Sequence, residues 1–279
     1  MQDARQTRQS DARARRGVAP VQSVERVFQI IDALARKSAG VSELARVTGM
    51  HKATVHRFLV TLRRLGYVEE LPDGSGYQLG LRLIELGGRV LSRLDFREVA
   101  RPYLAELRDT TRLTVHMAVL DGTEVVYVEK LDSPANIRMA SYVGTRNPVY
   151  CTALGKAILS ALPPADVQQI LQKIRLVPRT ARTLKTTEEL LEDLDRSRRR
   201  GFSVDDVENE DGIRCVGAPV YRHTGEVLGA ISVSGPVFHV PPDRVEELGR
   251  QVNETARLIS RALGCSAPLF GGGSSDANH

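Results

Sequence analysis

A chain of 279 residues is long enough for two domains, and 42% hydrophobic with 26% charged residues is an ordinary globular balance. No apolar run approaches the ~18–20 residues needed to cross a bilayer, the start "MQDARQTRQSDARARRGVAP" has no apolar segment of a secretory signal, and the scattered Cys151, Cys215 and Cys265 make neither a disulfide framework nor a CxxC metal site; a cytoplasmic setting without metal or cofactor is expected. The net charge of +5 is uneven: residues 1–20 carry five basic and two acidic side chains, 21–91 ten and seven, and 92–264 carry 24 of each, as a polyanion-binding module beside a neutral domain would.

Residues 1–20 lack apolar periodicity and read as a disordered basic leader. Val24, Val27, Phe28, Ile31, Leu34 and Ala35 then recur at helical spacing, with Ser23 as N-cap and Gly40 as terminator. Ser42 is placed to cap a short second helix, "ELARVT", which Gly49 ends. A third helix is predicted from about His51 to Leu65, burying Val55, Phe58, Leu59, Leu62 and Leu65. Two short strand-like runs flank the turn Pro72-Asp73-Gly74-Ser75-Gly76, a β-hairpin signal. Together, residues 21–80 read as a winged helix-turn-helix. "LRLIELGGRVLSRL" has an apolar stripe through Leu83, Ile84, Leu86, Val90, Leu91 and Leu94, and residues 81–96 read as a linker helix able to dimerise.

Residues 97–264 mix the two element types. A helix over 98–110 is followed by two strands around Asp121-Gly122 and a third strand in "IRMASYV". Helices are predicted at "TALGKAILSALP", 164–173 and 187–200, then strands in "FSVDDVE", "IRCVGAPVYR" and "EVLGAISVSGP", and a closing helix from about Pro242 to Leu263. Strands, then helices, then strands argue an α+β domain with a largely antiparallel sheet, and 265–279 reads as a flexible tail. The cationic run "RSRRRG" reads as a solvated helix C-terminus favoured by the helix dipole.

The stretch "GMHKATVHR" carries the first functional signal. With Val55 and Leu59 turned to the core, the opposite face of the third helix presents His51, Lys52, Thr54, His56, Arg57, Thr61 and Arg64. Between Met50 and Gly66 there are four Lys/Arg and no acid, which suits a helix entering a major groove. A solvated basic face is the bland alternative. The glycine turn, the short preceding helix, the following hairpin and the localised charge favour DNA reading.

The chain resembles the IclR family of bacterial transcriptional regulators over about residues 20–264. The resemblance rests on "VQSVERVFQIIDAL", "VSELARVTGMHKATVHRFLVTLRRLGYVE", "NPVYCTALGKAILSAL" and "DDVENEDGIRCVGAPVYRHTGEVLGAISVSGP", in that order. It implies a winged helix, a linker helix and a GAF-like effector-binding domain. It also implies homodimers pairing into homotetramers on palindromic or repeated operators in double-stranded DNA, with a small organic or aromatic acid as effector. Arg26, Ser42, Lys52, Ala53, Thr54, His56 and Arg57 form the expected DNA-binding set; at Ala53 the family often has Ser or Thr, so one phosphate or base contact is expected to be missing.

"AISVSGP" puts Ser232 and Ser234 on one strand face and Ile231 and Val233 on the other. Taken alone, this is a strand ending in a small-residue turn. The resemblance points to these serines as effector ligands, together with Met139, Asn147, Ala153, Leu154, Asp205 and Cys215, the helix start at Ala153 offering N–H groups to an anion. Asp205 would repel a bare carboxylate unless it is protonated or accepts a hydroxyl proton, so the effector is expected to carry a hydroxyl, keto or amide group as well as an acid. The alternative is a metabolite-binding protein or hydrolase with an incidental basic arm. Cys151, His116 and an Asp are the conceivable nucleophilic set, but no G-x-S-x-G or similar hydrolase signature accompanies them.

Overall fold

The computed structural model describes residues 21–91, 96–135 and 139–266. The predicted leader and the chain beyond Ser266 lie outside the described residues, as do the side chains of Val90, Leu91 and Leu94. Two compact units divide between Arg93 and Leu94.

The first unit is built from α1 (Gln22–Arg36), α2 (Val41–Thr48), α3 (Lys52–Arg64), the hairpin β1 (Val68–Glu70) and β2 (Tyr77–Leu79), and α4 (Arg82–Leu91). Its core is Ile30 and Leu34 from α1, Leu44 from α2, Val55, Leu59 and Leu62 from α3, and Val68 from β1. Full burial of such a side chain contributes about 1.5–3 kcal/mol, so this small cluster holds the three helices together. Ala39 pairs with Tyr77 through backbone bonds of 3.0 and 3.1 Å, tying the α1–α2 connection to the hairpin. At the tip, Asp73 Oδ1 accepts from the backbone N–H (3.0 Å) and the hydroxyl (2.7 Å) of Ser75.

Several local expectations are corrected. Neither Ser23 nor Ser42 caps a helix: Val21 and Gly40 hold the N-cap positions, and both serines lie inside the first turn. Val24, Phe28 and Ala35 are exposed, because α1 turns Ile30 and Leu34 inward and leaves those positions without a partner in this unit. Leu65 is exposed too, since it is the C-cap of α3, where the chain leaves the helical register. Leu81, just before α4, and Ile84 within it are exposed at 66% and 70%.

The second unit contains α5 (Phe96–Thr111), β3 (Thr114–Asp121), β4 (Glu124–Leu131), β5 (Arg146–Pro148), α6 (Ala153–Ala161), α7 (Pro164–Leu171), α8 (Thr187–Arg200), β6 (Ser203–Asp206), β7 (Ile213–Tyr221), β8 (Val227–Pro236) and α9 (Val245–Ala262). The six strands form one antiparallel sheet in the order β5-β4-β3-β8-β7-β6. Sheet side chains of one face, among them Val115, Met117, Val216, Ile231 and Val233, pack against α5 and α9. The other face packs against α6, α7 and α8 through Ala118, Val125, Ala230, Leu154, Ile158 and Leu190. The unit is α+β, with helices on both faces of an antiparallel sheet.

The predicted strand at "IRMASYV" is absent from its described part: Met139–Val143 are irregular, and the edge strand is Arg146–Pro148 instead. Here Gly144 takes φ +98°, and its N–H and the Thr145 carbonyl bond Tyr127, so pairing resumes only after the turn. Cys265, expected in the tail, is buried at 5% and donates its N–H to the Ser260 carbonyl.

Candidate functional site

The basic helix is α3. Gly49, in the left-handed region at φ +68°, ends α2 and turns the chain into it. His51, Lys52, Ala53, His56 and Arg57 are exposed, Thr54 is half-buried, and Val55 and Leu59 anchor the opposite side. Arg63 pairs with Glu70 on the hairpin, which leaves Lys52, Arg57 and Arg64 without a carboxylate partner among the described residues. Ser42 is exposed on α2 and Arg26 is half-buried on α1. An open apolar groove between α1 and α3, about 690 Å³, runs beside Arg57 and is walled by Val24, Phe58 and Val60.

A second site lies inside the α+β unit. Sheet register sets Asp205 opposite Cys215, Cys215 opposite Ser234, and Ser232 between Gly217 and His116. These side chains share the face that carries Ala230, so they point toward the α6 side. The N-terminus of α6 comes down on them because Gly217 has no side chain: a Cβ there would lie 3.0 Å from the Ala153 backbone. Thr152 caps α6, its hydroxyl accepting from Gly155 N–H at 3.1 Å, and the N–H groups of Ala153 and Leu154 head the helix. The result is a partly enclosed cavity of about 50 Å³.

All eight sequence-predicted ligand residues, Met139, Asn147, Ala153, Leu154, Asp205, Cys215, Ser232 and Ser234, line this one cavity. Sequence reasoning missed Tyr127, Ser141, Thr152, Asn209, Glu210 and Ile213, and gave His116 only to a hydrolase alternative. His116 Nε2 lies 2.7 Å from the Ser141 hydroxyl and Nδ1 lies 3.4 Å from that of Ser234, while its ring tilts against Tyr127 at 4.8 Å. A histidine between apolar residues in "TVHMAV" was the available signal. Lys130 Nζ donates to the carbonyls of Met139 (2.8 Å) and Ser141 (2.6 Å), holding the irregular segment over the cavity.

The electrostatics favour binding over catalysis. Burial, reinforced by Lys130, pushes the His116 pKa down to about 3, so the ring is neutral. Burial and the negative charge of Asp205 raise the Cys151 thiol to about 12, and burial holds Cys215 well above the usual thiol range; neither is a nucleophile at neutral pH. Asp205 is 2% exposed, and burial followed by the charge of Glu208 raises its carboxyl to about 7. Its Oδ1 accepts from the N–H groups of Glu208 (2.7 Å) and Asn209 (3.3 Å). Between these residues Val207 adopts φ +64°, a conformation β-branched side chains rarely take. Beneath the turn Lys156, fully buried in α6, reaches Glu208 at 2.5 Å and Asp193 at 2.8 Å; the two carboxylates outweigh burial and keep it charged. Among the described residues no His/Cys/Asp/Glu group could hold a metal ion, and no helix is long and apolar enough to cross a membrane.

Residues 23–72 match the IclR helix-turn-helix domain, and residues 88–261 match the C-terminal domain of the bacterial transcriptional regulator IclR. The chain is 39% identical over 245 residues to the HTH-type transcriptional regulator KdgR of Escherichia coli, covering 88% of this chain and 93% of that protein. It is similar to the crystal structure of the Thermotoga maritima IclR, with TM-score 0.73 and 34% identity over 86% of this chain and 98% of that one. It is also similar to an IclR homologue from Microbacterium hydrocarbonoxydans complexed with 4-hydroxybenzoate, with TM-score 0.75 and 25% identity over 87% and 99%. A helix-turn-helix with an acid-free basic third helix, an α+β unit enclosing a polar cavity without a usable nucleophile, and two family matches spanning both units lead to one assignment: the chain belongs to the IclR family of bacterial transcriptional regulators, DNA-binding proteins rather than enzymes.

Proposed function

We propose that this regulator represses a catabolic operon and is released by a small organic or aromatic acid bound in the α+β cavity. The observation that carries the reading is the convergence of eight residues from separate segments on one partly enclosed cavity of mixed polar and apolar lining. In it the Ala153 and Leu154 N–H groups and the Ser232 and Ser234 hydroxyls hold the carboxylate, Asp205 and Asn147 meet a hydroxyl, keto or amide group, and Met139 and Cys215 supply apolar wall. At about 50 Å³ the cavity is small beside the ~300–1,000 Å³ of drug-sized sites, which favours an acid of few carbons. A ring such as the 4-hydroxybenzoate of the Microbacterium homologue would need segment 139–147 to yield.

On the DNA side, Lys52, Thr54, His56 and Arg57 meet base edges and phosphates in the major groove, Ala53 packs without donating, and Arg26 and Ser42 reach flanking phosphates. The exposed Val24, Phe28, Leu81 and Ile84 support homodimers, and pairs of dimers, on a palindromic or repeated operator. Effector binding shifts the population of operator-competent forms.

Two variants test the division of labour by operator-DNA anisotropy and by thermal shift with small hydroxy, keto and aromatic acids. Arg57→Ala weakens operator binding about tenfold to a hundredfold and leaves the acid-induced shift intact. Ser234→Ala does the reverse; loss of operator binding in Ser234→Ala would overturn the reading. Equal affinity for acids lacking any hydroxyl, keto or amide group would refute the role given to Asp205.

A further inference from the structure

At the β6 edge of the sheet, Val204 and Asp206 face away from the cavity that Asp205 lines, by the two-residue alternation of a strand. They open onto a groove of about 480 Å³ that takes in Arg182, Arg196, Arg200 and Arg214. Its carboxylates are Asp193, Asp206 and Glu208, with apolar floor from Val204, Pro242 and Val245. This groove is separate from the cavity proposed for the effector, and its argument does not depend on that reading.

Each carboxylate of the groove is already paired. Asp206 takes both Arg182 and Arg214, the latter at 2.6 Å. Asp193 takes Lys156 at 2.8 Å and Arg196 at 3.1 Å, and Glu208 takes Lys156 at 2.5 Å. Arg200 is left without a carboxylate within ion-pair distance among the described residues. It is half-buried, donates from Nε to the Phe202 carbonyl at 2.7 Å, reaches the Ser197 hydroxyl at 3.5 Å, and lies over the Phe202 ring at 4.7 Å. Burial works against its charge, and the more distant Asp193 and Glu246 only partly offset this. Counting Lys156 beneath and Glu246 toward Arg200, five cations face four carboxylates. The run read from sequence as a solvated helix end therefore turns its last arginine inward, charged and under-paired.

We propose that this groove is a second ligand site, for a small molecule carrying a phosphate monoester. A phosphate dianion brings acceptor oxygens in the geometry that guanidinium forks match, and it supplies the countercharge Arg200 lacks. The volume fits a phosphorylated metabolite, whereas the carboxylates interleaved with the arginines would disfavour a nucleic-acid backbone, which calls for a continuous basic strip.

The test is calorimetric titration of the full-length protein with glucose 6-phosphate, inorganic phosphate and glucose at fixed ionic strength. Glucose 6-phosphate is expected to bind saturably and glucose not at all. Arg200→Gln should weaken that binding about tenfold or more, while Arg222→Gln, which removes one charge from the exposed β7–β8 turn, should leave it unchanged. If Arg200→Gln fails to fold by circular dichroism, Arg196→Gln, 51% exposed in its side chain, gives the same reading. Inorganic phosphate binding as tightly as the ester, with the same loss in the groove variants, supports the site and makes free phosphate its ligand. Absence of saturable binding, or equal weakening by Arg222→Gln, would overturn the proposal.

Discussion

Replacing Asp205 by Asn is expected to change how the stability of the α+β unit depends on pH. The carboxyl is 2% exposed and its pKa is raised from the ordinary 3.8 to about 7, first by burial and then by Glu208. Between pH 4 and 7 the folded chain keeps a proton that the unfolded chain releases. Stability therefore falls as pH rises through that window and levels off once the folded carboxyl has ionised. At ~1.4 kcal/mol per tenfold in proton affinity, the full window is worth about 4 kcal/mol, of which about 3 kcal/mol falls between pH 5 and 8. Asn accepts the same N–H bonds from Glu208 and Asn209 at Oδ1 and does not titrate. Urea unfolding of this unit at pH 5, 6, 7 and 8, followed by circular dichroism because the chain has no Trp, measures both proteins. The wild type should lose about 3 kcal/mol relative to Asp205→Asn across the range. Stability curves that stay parallel from pH 5 to 8 would refute the raised carboxyl and the protonation argument for ligand choice.

Lys156→Met leaves Glu208 and Asp193 buried without their shared cation; it should destabilise the unit by about 3–5 kcal/mol at pH 7 and by less at pH 5, read by the same unfolding assay. Gly217→Ala puts a Cβ 3.0 Å from the Ala153 backbone and should lift the start of α6, costing about 1–3 kcal/mol and weakening the acid-induced thermal shift. Gly49→Ala forces an alanine into the left-handed region and should cost the first unit about 1–2 kcal/mol, seen as a lowered melting temperature of the helix-turn-helix alone.

The helix-turn-helix was legible because its signals are local. The period of Val55, Leu59 and Leu62, the glycine at 49 and the run of basic residues all lie within residues 49–64. Where such reasoning went astray, the missing information was the partner surface. Val24 and Phe28 fit a helical stripe, yet α1 spends its inward face on Ile30 and Leu34. Leu65 fits the period of α3 but falls on its cap. In "IRMASYV" the apolar alternation suggested a strand, while backbone bonding to β4 begins only at Gly144 and the strand ladder at Arg146.

The cavity divides the same way. Alternation along β8 was enough to put Ser232 and Ser234 together and Ile231 and Val233 opposite, because side-chain direction in a strand is a local property. What sits across from them is a matter of register between strands far apart in sequence: His116 beside Ser232, and Cys215 between Asp205 and Ser234. The charge state of Asp205 depends on burial and on Glu208, neither of which a composition or a spacing encodes. Arg200 makes the point most sharply. By sequence it is one of several arginines ending a helix; in the fold it lies against Phe202, and the groove carboxylates Asp193, Asp206 and Glu208 are each paired with another cation. Local periodicity and turn chemistry thus determined which elements form and which face each presents. Only long-range packing decided which faces meet, and with them the burial, pairing and protonation on which the two proposed ligand sites depend.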